Sequence, residues 1–182
     1  MEAPLADVGS GLAPAGEGWF VVNVRDAAWL VNDAFGARCR FEADVPVVRG
    51  TSLDPVRFPE LGITLAVLEP GKPSTLYHAE SAQEDFLVLS GECDAVVEGA
   101  ERRLRAWDFV HCPPGTTHAF RGAGDGPCVL LMLGARPPGR TIRYAPSDLA
   151  ASVETETDSP REAYAAYPHW KPGSPPAGLP WD

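Results

Sequence analysis

Four side chains able to hold a divalent metal ion fall in two short blocks of this chain. The first block runs from Gly71 to Gly91 and carries His78, Glu80 and Glu84. The second runs from Trp107 to His118 and sets His118 just after Pro113-Pro114-Gly115. Neutral imidazole and carboxylate are the donors that suit borderline and hard ions such as Zn²⁺, Fe²⁺ or Mn²⁺. His78 and Glu80 lie two residues apart, so on a strand they share one face. A histidine beside a tyrosine, or a glutamate before an apolar strand, is by itself ordinary hydrogen-bonding or solvated chemistry. The joint spacing of the four is what points to a metal centre in a β-rich pocket.

Short strands must position such a set. Apolar and β-branched runs at 63–68, 85–90, 93–97, 102–105, 109–112, 118–121 and 128–133 are separated by turn signals. Those signals include Pro70-Gly71, Gly91, the hairpin sequence Glu98-Gly-Ala-Glu101, Pro113-Pro114-Gly115 and Gly122 to Pro127. Strands at this regular spacing indicate a sandwich or barrel. If Glu84 points inward, Phe86, Val88 and Ser90 share its face, while Leu87 and Leu89 point the other way. A strand apolar on both faces needs outer cover, from a second sheet, the terminal arms or another subunit.

The regions around this body differ in composition. Residues 1–17 are rich in Gly, Ala and Pro without periodicity and read as a flexible or loosely docked arm. Residues 18–32 predict two short strands around an Arg-Asp turn, 39–42 another strand, and 44–60 a long surface connection. The expected organisation is therefore an arm (1–17), N-terminal strands and a connection packed on a barrel (18–60), the barrel core (61–135) and a C-terminal extension (136–182). In that extension 146–150 predicts one short helix. Ser159-Pro160-Arg-Glu162 starts a second with a cap, a first-turn proline and an early acid. The tail carries Trp170 and Trp181 among prolines, and two tryptophans are expected to wrap over apolar surface.

The formal net charge of −10 argues against nucleic acid or an anionic membrane as partner, because both need a basic face. No apolar run reaches spanning length and the start lacks signal-peptide character, so a cytoplasmic protein is expected. Cys39, Cys93, Cys112 and Cys128 form no C-x-x-C pair and read as reduced, buried residues, with Cys112 the one thiol near the second block. His111 reads as structural, His169 as incidental, and Asp108 as a side chain bonding backbone at a turn.

The two blocks resemble the paired motifs of the cupin superfamily. Gly71, six residues, His78-x-Glu80, three residues, Glu84, six residues, Gly91 matches the first motif. Trp107, five residues, Pro113-x-Gly115, two residues, His118, three residues, Gly122 matches the second, with Trp107 and Gly122 replacing its usual Gly and Asn. The resemblance spans about residues 60–135. It implies an all-β fold, an antiparallel double-stranded β-helix of the jelly-roll type, with N- and C-terminal extensions and short C-terminal helices.

It also implies metal ligation by His78, Glu84 and His118, with Glu80 standing where a second histidine is usual. Glu80 then either completes a set of two imidazoles and two carboxylates, or serves as general base beside a two-histidine, one-carboxylate triad. The expected cofactor is one divalent transition metal: Zn, Fe, Mn or Ni. The expected function is a metal-dependent enzyme acting on a small molecule, of dioxygenase, isomerase, decarboxylase or epimerase class. The alternative is a non-catalytic ligand-binding barrel with a structural metal. Two apolar outer faces and the tail further predict a homodimer.

Overall fold

The computed structural model describes residues 1–42, 58 and 60–182, so most of the expected connection at 44–60 lies outside the described residues. Among the described residues fourteen strands and one short helix follow in order. These are β1 (Leu5–Asp7), β2 (Leu12–Pro14), β3 (Trp29–Asn32), β4 (Gly36–Phe41), β5 (Leu61–Leu68), β6 (His78–Glu80) and β7 (Glu84–Ser90). Next come β8 (Glu92–Val97), β9 (Ala100–Arg105), β10 (Phe109–Cys112), β11 (His118–Ala123), β12 (Cys128–Ala135), β13 (Ile142–Tyr144), α1 (Pro160–Ala163) and β14 (Lys171–Gly173). Two antiparallel sheets face each other, ordered β10-β7-β12-β5-β4-β3-β14 and β13-β6-β11-β8-β9. The expected all-β architecture is the one observed. Among the described residues no helix is long and apolar enough to cross a membrane.

The barrel's inner core follows from strand alternation. Phe86 and Val88 of β7, Phe120 of β11, and Leu130 of β12 point inward with Ala66 and Leu68 of β5. The opposite faces of β5 and β12 are equally dry: Val67 and Val129 are fully buried against Trp29, Cys39 and Leu179. The outer cover required by those two-faced strands therefore comes from this chain's own terminal segments. Trp181 packs on Trp29 with ring centroids 6.2 Å apart. Phe35 gathers Tyr164, Tyr167 and Trp170 at centroid distances of 5.4, 5.0 and 6.3 Å, which fastens the C-terminal segment to the mouth of the barrel.

Turn chemistry explains the connections. Glu98 and Gly99 both take positive φ, 50° and 75°, the twist that suits a two-residue hairpin between β8 and β9. Trp107 holds φ 75° where the family pattern has glycine. The Asp108 carboxylate accepts from the Arg105 N–H (2.9 Å) to hold that turn, the role expected of it. A Cβ at Gly122 would lie 2.3 Å from the Glu69 carbonyl oxygen, so the β11 backbone needs glycine there to meet the 69–72 turn.

Three local expectations differ from the structure. Of the two strands expected in 18–32 only β3 forms, because Trp29 donates its indole N–H to the Val24 carbonyl (2.9 Å) and curls the preceding segment into a turn. Residues 146–150 make no helix. The Ser147 hydroxyl instead accepts from the N–H groups of Leu149 and Ala150, both at 3.2 Å, a local turn that competes with helix. Residues 1–17 carry the β1–β2 hairpin, with Ala3 and Ala13 buried. The second helix forms with Ser159 as cap and Pro160 first, but runs only four residues.

Phe35 buries fully at the junction of barrel and tail. Phe35→Ala should cost about 3–5 kcal/mol in denaturant unfolding and expose the 160–182 segment to limited proteolysis.

Candidate metal centre

The five-stranded sheet sets two imidazoles face to face. His78 on β6 lies directly opposite His118 on β11 in the antiparallel register, with ring centroids 4.8 Å apart. The Nδ1 of His78 lies 2.7 Å from the Leu76 carbonyl and that of His118 lies 3.0 Å from the Thr116 carbonyl. A carbonyl only accepts, so each Nδ1 carries the proton and each Nε2 presents a lone pair to the pocket. The Pro113-Pro114-Gly115 turn is locked to the first block by a Gly115 N–H to Glu80 C=O bond of 2.7 Å. That bond gives the spacing of the second block its structural purpose.

The third donor comes from the facing sheet. Glu84 opens β7, and its Oε2 lies 3.3 Å from His118 Nε2 and 4.0 Å from His78 Nε2. Candidate ligand atoms of the three residues all lie within 4.8 Å of one another, and all three side chains are buried. Donors about 2.1 Å from a single tetrahedral ion lie roughly 3–3.5 Å apart, so a small inward adjustment suffices. The Nε2 of His118 is buried without a hydrogen-bond partner. An orphaned lone pair of this kind fits an absent cation. The group can hold a metal ion.

Electrostatics favour a neutral site before an ion arrives. Burial lowers the His78 imidazole, and lowers that of His118 to about 4, helped by the neighbouring His78. Burial, reinforced by the Glu80 charge, pushes the Glu84 carboxyl up to about 8. Binding a cation therefore displaces a proton from Glu84.

Glu80 is placed differently. Its carboxylate turns to Arg140, with Oε1 2.5 Å from Nη1, and its Oε2 lies 3.7 Å from Arg136 Nη1. The chain of charges continues from Arg136 to Glu42 (3.3 Å) and from Glu42 to Arg40 (2.7 Å). Two glycines make room for it: a Cβ on Gly62 or Gly134 would lie 2.5 or 2.3 Å from the Arg136 guanidinium. In the sheet register Glu84 faces Gly134, which faces Gly62, so Arg136 lies across the strands beside the triad.

His78 and Glu84 of the triad line a cavity of about 830 Å³ between the barrel strands and the C-terminal segment. Its walls include Arg38, Thr64, Met132, Tyr144 and Trp170. Tyr144 sits 5.8 Å from His78, ring to ring, and burial raises its phenol. Sequence reasoning did not find Arg38, Arg40, Glu42, Arg136, Arg140 or Tyr144. The alternation Arg38-x-Arg40-x-Glu42 was visible, but it reads as a solvated strand face. His111 stays outside the site, exposed and 2.6 Å from Asp85. Cys112 pairs with Glu84 across β10 and β7 and is buried in the barrel core on the same sheet face, where burial raises its thiol to about 12. His169 is exposed at the cavity rim.

A family profile described as Cupin domain matches residues 64–134. Residues 64–134 thus carry a cupin domain. Among solved structures, a sugar phosphate isomerase of the cupin superfamily from Silicibacter pomeroyi is 21% identical with a TM-score of 0.53. The match covers 87% of this chain and 97% of that one. A proposed sugar phosphate isomerase from Acidithiobacillus ferrooxidans is 27% identical over 59% of this chain and 64% of its own length, with a TM-score of 0.46. A DMSP lyase from Ruegeria pomeroyi is 26% identical over 51% of this chain and 46% of its own, with a TM-score of 0.41. The chain thus spans less than two thirds of the length of the last two. No curated protein matches.

The raised Glu84 carboxyl sets the sign of a pH effect in metal-free protein. Its contribution to stability is fully present below the ordinary carboxyl value of 4.5 and is lost as pH rises through about 8. The lowered imidazoles act oppositely, losing stability as pH falls from 6.5 through about 4. Glu84→Gln should remove only the decline between about pH 4.5 and 8, measured as the melting temperature of chelator-treated protein across this range.

Proposed function

We propose that this protein is a metal-dependent enzyme acting on a small molecule, with His78, Glu84 and His118 as ligands. The observation that carries this reading is the pair of opposed imidazoles, each with Nδ1 tied to a backbone carbonyl, aiming Nε2 at a buried carboxylate beside a cavity. A divalent transition metal held there supplies Lewis-acid or redox activation of a substrate oxygen. The chain's own residues do the rest. Leu76 and Thr116 carbonyls fix the ring orientations, which keeps the donors preorganised. Phe86 and Phe120, packed beside His118 at 5.0 and 6.0 Å between ring centroids, keep the inner side of the site dry.

Glu80 stands outside the ligand set, as the acid–base group nearest to it. Arg140 and Arg136 orient its carboxylate, and its buried Oε2 has no hydrogen-bond partner. That free oxygen suits proton transfer to or from a bound substrate. Four buried free cysteines accord with a reducing compartment, and we assign the protein to the cytoplasm on that ground. Exposed Trp107 and Phe109 beside the outer edge strand β10 support a homodimer. Sedimentation at micromolar concentration should show the dimer, and Trp107→Lys should give monomer.

Elemental analysis of freshly purified variants tests the site. Wild type should carry about one ion per chain, and His118→Ala should lose it, because the only second-block donor is gone. Glu80→Gln should retain the metal at the wild-type ratio. Metal loss in Glu80→Gln would make Glu80 a ligand, and stoichiometric metal in His118→Ala would overturn the assignment.

A further inference from the structure

Arg38 is a half-buried cation without a carboxylate. Its guanidinium stacks over Trp170, 3.5 Å from the ring centroid, and it forms no ion pair among the described residues. Its Nε is buried without a hydrogen-bond partner, as is that of Arg40. Stacking occupies only the flat face of a guanidinium, which leaves the N–H donors of its in-plane edge without a hydrogen-bond partner among the described residues. That edge matches the two oxygens of a carboxylate or phosphate. An arginine out of water is ordinarily paired within its own fold, and here Glu42 and Glu80 of the cavity wall are already taken by Arg40, Arg136 and Arg140.

The cavity's charge balance points the same way. Four guanidinium groups of its walls (Arg38, Arg40, Arg136 and Arg161) stand against three carboxyl groups (Glu42, Glu80 and Glu84). This electropositive interior belongs to a chain whose formal charge is −10. Burial, and after it the like charge of Arg40, lower the Arg38 guanidinium to about 9. Tyr144 lines the same cavity as Arg38, and its ring neighbours His78.

We propose that the cavity binds a small organic anion, a carboxylate or phosphate monoester, whose oxyanion seats on the open edge of Arg38 over Trp170 while its reacting end faces His78, Glu84 and His118. The second half of that statement rests on the metal-enzyme reading; the anion seat at Arg38 does not. Substrate placement then follows from two fixed points, with Arg38 as the binding residue that sets orientation.

The test titrates inorganic phosphate and succinate separately into the full chain, as purified and after chelator treatment, at ionic strength matched with chloride. Tryptophan fluorescence and calorimetry report binding. Wild type should bind at least one probe saturably in both preparations, and the preferred probe identifies the oxyanion. Arg38→Met should weaken binding tenfold or more while melting at or above the wild-type temperature. If that variant does not fold, Arg38→Lys, which keeps the charge but loses the fork and the stack, is judged by the same loss. Saturable binding of neither probe, unchanged affinity in the Arg38 variant, or binding abolished by chelation would overturn the proposal. The last result would place the anion on the metal. Absence of metal from purified protein, with anion binding intact, would overturn only the metal reading.

Discussion

Ionisable groups carried inside a barrel must be neutral, paired or bound to an ion, and this constraint governs the whole molecule. The interior of this barrel holds His78, His118 and Glu84 on one side and a line of glutamates and arginines on the other. The first three meet the constraint by staying uncharged, the imidazoles lowered and the carboxyl raised. The line of charges meets it by alternation of sign, Arg40–Glu42–Arg136–Glu80–Arg140. Removing one member of such a chain leaves a buried charge uncompensated, which is costlier than the pair was favourable. Glycine at 62 and 134 is part of the same solution, because any side chain there would occupy the space of the Arg136 guanidinium.

The rest of the scaffold keeps that interior dry on both sides. Jelly-roll strands have two faces, and in β5 and β12 both are apolar. A core of Phe86, Leu130 and Phe120 lies within, and one of Trp29, Val67 and Val129 lies outside. The terminal segments supply the outer layer. The proline-rich tail ends with Trp181 against Trp29, and Trp170 closes the mouth over Arg38. The tail is therefore both insulation for the sheet and a wall of the cavity. Stability and ligand recognition are coupled through the same aromatic cluster around Phe35.

Similarity to known proteins constrains fold more tightly than chemistry. The solved structure that this chain matches over most of its length shares only 21% identity, a level at which the architecture is shared and the reaction is not implied. Cavity chemistry is the better guide. Opposed imidazoles define where an ion can be held, the Arg38 edge where an anion can seat, and the distance between them which molecules fit.

By itself the sequence determined the strands of the barrel, because turn residues and period-two alternation are local signals. It also marked His78, Glu84 and His118, whose spacing is set by the short strands and the Pro-x-Gly turn that carry them. It showed the cap at Ser159, but not that the helix would end after one turn once Tyr164 and Tyr167 were drawn to Phe35. Tertiary structure alone decided the orientation of Glu80. Period two put it in the pocket beside His78, whereas Arg136 and Arg140, more than fifty residues away, turned its carboxylate aside. The same holds for β4. Arg38, Arg40 and Glu42 alternate with Ala37 and Cys39 as a water-facing strand edge would. Their polar face became the inside of a cavity because the C-terminal segment folds across it, a long-range contact that no local pattern encodes.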